Sequence, residues 1–360
     1  MPVAAIRFSG ERQQLVDRLF PAGIPALWCP PLTHFDDRGE LDRERMRAHL
    51  RSMQPWVKGF LVPGSTGEGW DMSPDEAREV VAFMIDEVRE VHGHLLVGVL
   101  ATTVDDVLRR IEDAMASLAR QTGVRDPLAG LATSSVCGFT VCPPSGSGLG
   151  QDRIRAGLEQ VLSLGAPVAL YQLPQVTRNE MSPETVAALA ARFPGFYLFK
   201  DSSGADRVAE SGFREAFLLR GAEGGYASHL AGAGGRYDGF LLSTANCFAG
   251  HLGGLIDDLR AGRREEAEAS SRRLTAVWDE LFEPASKVGD GNAFTNANKA
   301  MDHFFAHGPG AAKLAPPRLH SGKRLPPQLV LAAGAALARH GLMPASGYLE
   351  LPHGSWRTSR

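Results

Sequence analysis

Three short segments of this chain carry side chains suited to carbonyl chemistry: Lys200-Asp201-Ser202-Ser203-Gly204, Tyr171-Gln172-Leu173-Pro174 and Gly64-Ser65-Thr66-Gly67-Glu68. A lysine attacks a carbonyl only through its unprotonated amine, and partial burial lowers its pKa and supplies that form. A phenol such as that of Tyr171 is suited to shuttling a proton beside it. The Gly-Ser-Thr-Gly turn offers small residues, the hydroxyls of Ser65 and Thr66, and free amides, a set that cradles a carboxylate. Ser202, two residues past the lysine, adds a further substrate-binding hydroxyl. A fourth segment, Gly221-Ala222-Glu223, brings a carboxylate, although a Glu there would serve a helix N-terminus equally well. Taken singly, each group has an ordinary reading, since strand-end lysines are usually solvated and tyrosines usually pack in the core. Their weight comes from falling at corresponding places in successive elements.

Those elements are short apolar runs, each closed by turn residues and followed by a segment of helix length. They read IPALWC (24–29), VKGFLVPG (57–64), LLVGVL (95–100), CGFTVC (137–142), PVALYQLP (167–174), GFYLFK (195–200), FLLRG (217–221) and DGFLLS (238–243). Between them, SPDEAREVVAFMIDEVREV (73–91) repeats apolar residues at i, i+3 and i+4, and TVDDVLRRIEDAMASLAR (103–120) and SPETVAALAARF (182–193) also read as helices. Ser73-Pro74 and Ser182-Pro183 each set an N-cap before a proline in the first turn. Near-continuous apolar strands alternating with helices require a parallel sheet covered on both faces. Eight such units within residues 24–260, with no dinucleotide fingerprint, favour a closed TIM (β/α)8 barrel over a doubly wound sheet. Active sites of such barrels lie at the C-terminal ends of the strands, where all four chemical segments fall. Period-2 alternation places Phe196, Leu198 and Lys200 on one face; if the first two fill the barrel, Lys200 points into its mouth.

The expected organisation is an N-terminal extension (1–22), a barrel (23–260), a C-terminal helical appendage (261–342) and a tail (343–360). The appendage follows from REEAEASSRRLTAVWDELF, NANKAMDHFFAHG and PPQLVLAAGAALARHG, which read as helices. Lysines and arginines number 38 against 41 acidic residues, so no basic excess points to nucleic acid or an anionic membrane. The first twenty residues carry Arg and Glu where a signal peptide needs an apolar core, and no apolar run nears the roughly 20 residues that span a bilayer. Cys29, Cys137, Cys142 and Cys247 are too scattered for a disulfide framework. A cytoplasmic protein is expected.

The order GSTGE, SPDE, YxxP and KDSSG, with 29 residues from Tyr171 to Lys200, resembles the dihydrodipicolinate synthase/N-acetylneuraminate lyase family of Schiff-base aldolases. The similarity runs from GIPALWCPPLTHFDDRGELD (23–42) into the C-terminal helices. The resemblance implies a lyase in which Lys200 forms an imine with pyruvate or another 2-oxo acid. It makes Tyr171 the acid/base and assigns carboxylate binding and proton relay to Ser65 and Thr66. It needs neither metal nor organic cofactor and implies a homodimer or homotetramer. Synthases of the lysine pathway carry an Arg after YxxP and a Tyr pair after the fourth strand. Here these places read Val176, with Arg178 two residues on, and Cys142-Pro143-Pro144-Ser145-Gly146. That speaks against lysine biosynthesis. GSTGE and DGFLLSTAN (238–246) look closer to the sugar-acid lyase branch, in which Ser243 would meet a polyol, with Glu223 a carboxylate at the same mouth. A dehydratase of a deoxy-keto sugar acid and a catalytically weak ligand-sensing barrel are the alternatives.

Other constellations carry less. Gly146-Ser147-Gly148-Leu149-Gly150 lacks the spacing of a dinucleotide site and the lysine of a P-loop. His92 and His94 precede the third strand, at the end of the barrel away from the site. His303 and His307 suit a helix C-terminus before Gly308. Residues 121–136 read as a long linker. Lys58, Lys299, Lys313 and Lys323 fall on loops, strand starts or helices, which leaves Lys200 as the reactive lysine.

Overall fold

The structure, a computed structural model, describes residue 8 and residues 10–124 and 126–350. Eight parallel strands close into a barrel in sequence order: β1 (Leu27–Cys29), β2 (Gly59–Val62), β3 (His94–Val99), β4 (Val136–Val141), β5 (Val168–Gln172), β6 (Phe196–Asp201), β7 (Phe217–Arg220) and β8 (Gly239–Leu241). Each matches one of the apolar runs. Pro30, Pro63, Pro143 and Pro174 follow β1, β2, β4 and β5 closely, and a residue without an N–H cannot extend the ladder, so these strands stop at the mouth. The helices Pro74–Glu90 and Pro183–Arg192 start at the expected serines: Ser73 accepts from the Glu76 amide in a full capping box, and Ser182 accepts from that of Thr185. The stretch 121–136 is less of a linker than its composition implies, because it holds the helix Pro127–Thr133 capped by Asp126.

The barrel interior is filled by Trp28, Leu61, Leu96, Tyr197, Leu198, Leu219 and Leu241, and a second, larger apolar layer lies between strands and helices. Here the expected alternation fails at one residue. Pairing between β5 and β6 slips, so that Val168 faces Phe196 while Ala169 faces Leu198. Tyr197 is the extra residue and fills the interior, whereas Phe196 packs outward, its ring 6.4 Å from that of Phe213. A bulge of this kind shifts the in/out phase of everything before it and leaves Leu198 and Lys200 facing inward as expected.

The region assigned as an N-terminal extension supplies the barrel floor. The helix Gly10–Leu19 packs Val16 and Leu19 into the interior cluster, and Phe20 sets its ring 4.7 Å from His94, 5.7 Å from Tyr197 and 6.2 Å from Trp28. At the other terminus the helices Arg264–Ser286, Ala293–His307 and Pro327–Arg339 pack against the barrel and one another. The tail reading needs correction for residues 343–350: Tyr348 is buried, stacks on His49 and donates to Asp302 at 3.1 Å. Residues 351–360 lie outside the described residues. All four cysteines are buried and unpaired, and no described helix is long and apolar enough to cross a membrane.

Phe20 is 2% exposed at the floor and Leu331 is 56% exposed on the last helix. Phe20→Ala is therefore expected to lower unfolding stability by about 3–5 kcal/mol and Leu331→Ala by no more than about 0.5 kcal/mol. Urea denaturation checks this; equal effects would contradict the plug.

Candidate functional site

The register of the barrel sets Tyr171 beside Lys200 on adjacent strands, with Leu219 of β7 on the lysine's other side. Lys200 is 4% exposed and Tyr171 2%, and the ammonium nitrogen lies 3.9 Å from the centre of the phenol ring. The room for the lysine is made by Gly221 just past β7. A methyl group there would come within 2.9 Å of Lys200 Cε and 2.1 Å of Ser202 Oγ. Burial pulls the Lys200 pKa down to about 7, opposed by Cys142, Glu223 and Cys29. Burial also pushes the Cys142 thiol up to about 12, so it stays neutral and leaves Glu223 as the charge that acts on the lysine near pH 7. The Tyr171 phenol is raised by burial and by Cys142, with Ser202 and Ser65 hydroxyls pulling the other way. Near neutral pH this pairs a partly unprotonated amine with a protonated phenol.

Ser65 and Thr66 lie in the turn after β2. The amides of Gly67, Glu68 and Gly69 bond back to Gly64 and Ser65 carbonyls within that turn. The turn is held from outside by one helix. From Ala293–His307, the N-cap Asn292 donates to the Ser65 carbonyl at 2.9 Å, Thr295 Oγ1 donates to the Thr66 carbonyl at 2.9 Å, and Lys299 forms a buried ion pair with Glu68. Lys299 also donates to the Arg318 carbonyl at 2.8 Å, and Glu68 accepts from the His320 amide at 2.8 Å. Glu68 has φ +62°, a left-handed conformation that costs a non-glycine residue about 1–3 kcal/mol and persists only where surroundings impose it. The ion pair and the His320 amide impose it here.

Glu223 and Ser243, both expected at the mouth, meet there and bond to each other. Glu223 Oε1 accepts from Ser243 Oγ at 2.6 Å and the Thr244 amide at 3.0 Å, and Oε2 accepts from Thr244 Oγ1 at 2.6 Å and Tyr226 at 3.0 Å. Ser243 Oγ in turn accepts from Asn298 at 3.0 Å. Ser202 is buried between Lys200 and Gly221, its amide bonded to the Gln172 carbonyl at 3.0 Å.

Two features of this site lie outside the sequence reading. Trp70 donates from its indole nitrogen to Ser65 Oγ at 2.9 Å and packs, half-buried, against Cys142, Tyr171 and Leu173. A large aromatic two residues past GSTGE was the available signal. The anchoring face of helix Ala293–His307 is the second. Val176 packs against the same apolar cluster, and Arg178 is exposed, with left-handed backbone. Away from the mouth, His34, His49 and Asp302 gather three ligating atoms, but Asp302 accepts from Arg45 at 2.9 Å and from Tyr348, and His34 pairs with His49 at 3.0 Å. These bonds make the group a hydrogen-bonded part of the core. His307 ends its helix before Gly308, and His94 opens β3 at the floor.

Fold and site together define a closed (β/α)8 barrel with a buried lysine at its C-terminal mouth. The family model described as "Dihydrodipicolinate synthetase family" matches residues 151–289. A 4-hydroxy-tetrahydrodipicolinate synthase of Xanthomonas campestris pv. campestris is 30% identical over 255 residues, 68% of this chain and 75% of that protein. An N-acetylneuraminate lyase of Citrobacter koseri is 28% identical over 234 residues, 61% of this chain and 72% of that one. Among solved structures, YagE of E. coli K12, a family protein in complex with pyruvate, superposes with a TM-score of 0.65 at 21% identity, covering 88% of this chain and 98% of its own. The chain belongs to the dihydrodipicolinate synthase/N-acetylneuraminate lyase family.

The Glu68–Lys299 pair is buried at both ends. Lys299→Met leaves the Glu68 carboxylate uncompensated and is expected to cost about 3–5 kcal/mol, while Glu68→Gln combined with Lys299→Met should cost less than the lysine change alone. Denaturant midpoints decide; a single-variant loss below about 1 kcal/mol would contradict the anchoring role.

Proposed function

We propose that this chain is a Schiff-base-forming lyase that attaches pyruvate or another 2-oxo acid to Lys200 and makes or breaks a carbon–carbon bond next to the imine. The observation that carries this reading is the nearly complete burial of the Lys200 amine against the Tyr171 ring at the barrel mouth. A depressed pKa supplies the nucleophile near neutral pH. In this mechanism Nζ adds to C2 of the 2-oxo acid, water leaves, and a protonated imine forms. In cleavage, the hydroxyl on C4 gives up its proton, the C3–C4 electrons move into the imine, and the aldehyde departs. The enamine then takes a proton at C3, and water releases the product and restores the amine. Tyr171, protonated and in contact with the lysine, gives its proton to the departing water as the imine forms; its phenolate takes the C4 hydroxyl proton, returns it to C3, and is reprotonated by the water that hydrolyses the imine, while Ser65 and Thr66 hold the carboxylate beside C2. Thr66 also relays the proton to Tyr171. Ser202 lines the lysine's other flank. Condensation is the same path reversed.

Reduction with borohydride in the presence of pyruvate is expected to add one adduct per chain, in the peptide ending FYLFKDSSG. Lys200→Arg cannot form an imine, so it should lose both label and turnover. Tyr171→Phe should still label while losing about 10²–10⁴-fold in rate. Peptide mapping by mass spectrometry reads the result, and labelling that persists in Lys200→Arg would remove the mechanism.

A further inference from the structure

We infer that the carbonyl partner joined to or released from the 2-oxo acid is an uncharged aromatic aldehyde, neither a carboxylate-bearing semialdehyde nor a polyol sugar. This rests on the Schiff-base reading above and specifies its second substrate. One wall of the mouth is apolar: Trp70 and Val176, both only half-buried, pack on Cys142, Tyr171 and Leu173. The one polar atom of Trp70 is already donated to Ser65 Oγ at 2.9 Å, so what the indole presents is ring carbon. An aromatic ring laid on such a surface gains both from burial and from ring–ring contact.

The polar groups of the mouth past β7 and β8 are mostly committed to one another. Both oxygens of Glu223 take two hydrogen bonds each, from Ser243, Thr244 and Tyr226. Ser243 gives its only proton to Glu223 and accepts from Asn298. Beyond one lone pair left on Ser243 Oγ, this set offers a polyol neither a free donor on Ser243 nor a free acceptor on Glu223, and each further hydroxyl brought against it would displace an existing bond. An anionic aldehyde fares no better. The side chain packed into the apolar cluster is Val176, which has no donor fork for a carboxylate, and the charge already acting on Lys200 is the carboxylate of Glu223.

The test supplies the full chain with pyruvate and, separately, benzaldehyde, succinate semialdehyde and D-erythrose, and measures kcat/KM for C–C bond formation. Benzaldehyde is expected to exceed both others by at least about tenfold. Trp70→Ala should lower the benzaldehyde value by about tenfold while Trp70→Phe retains most of it, which separates the ring surface from the bond to Ser65. Val176→Arg should move preference toward succinate semialdehyde. Preference for either other aldehyde, equal losses on all three in Trp70→Ala, or pyruvate labelling without turnover of any aldehyde would overturn the inference. Absence of pyruvate labelling at Lys200 would instead remove the Schiff-base reading beneath it.

Discussion

An ammonium group withdrawn from water either finds a compensating charge or gives up its proton, because an uncompensated ion in a low-dielectric interior is far too costly to keep. The barrel contains both outcomes. Lys299 is as buried as Lys200, but it holds the Glu68 carboxylate and the Arg318 carbonyl, and Glu68 opposes the effect of burial on its charge. Lys200 faces a phenol ring and sits near Glu223, whose negative charge is shared among four donors. Its pKa falls to about 7. Both lysines are buried, but only Lys299 has a carboxylate bonded to its ammonium.

Keeping Lys200 dry makes demands on distant parts of the chain. Gly221 must lack a side chain, since Lys200 Cε and Ser202 Oγ occupy the space. The strands must be phased so that Leu198 and Lys200 point inward, a phase the bulge at Tyr197 leaves intact while it turns Phe196 outward. The turn after β2 is held in place above the barrel. For that the protein uses helix Ala293–His307, which reaches one turn through Asn292, Thr295 and Lys299 and the other through Asn298. Helix Ala293–His307 thus ties the turn after β2 to the segment after β8.

Much of this was legible in the sequence because it is local. Apolar runs ended by Pro30, Pro63, Pro143 and Pro174 mark strands and their mouth ends, Ser-Pro pairs mark helix starts, and Tyr171 and Lys200 fall at matching positions on neighbouring strands. What escaped was non-local or turned on a single residue. A one-residue bulge leaves no mark in a run as uniformly apolar as FYLF, yet it sends Phe196 outward. The bonds from Asn292, Thr295 and Lys299 to residues 65–68 span more than two hundred positions, and no periodicity reports them. Residues 10–20 read as an extension because a plug is recognised only once there is a barrel to close, and Tyr348 read as tail because its partners, His49 and Asp302, are brought to it by folding.

The central claim is that folding strips Lys200 of its proton near neutral pH. The chain has only six lysines, Lys58, Lys200, Lys287, Lys299, Lys313 and Lys323, so a 13C-lysine-labelled sample gives a resolvable NMR spectrum. The Lys200 Cε resonance, assigned by its loss in Lys200→Arg, should titrate with a midpoint near 7. A midpoint close to the ordinary lysine value of 10.5 would show that the amine stays charged and would contradict the account.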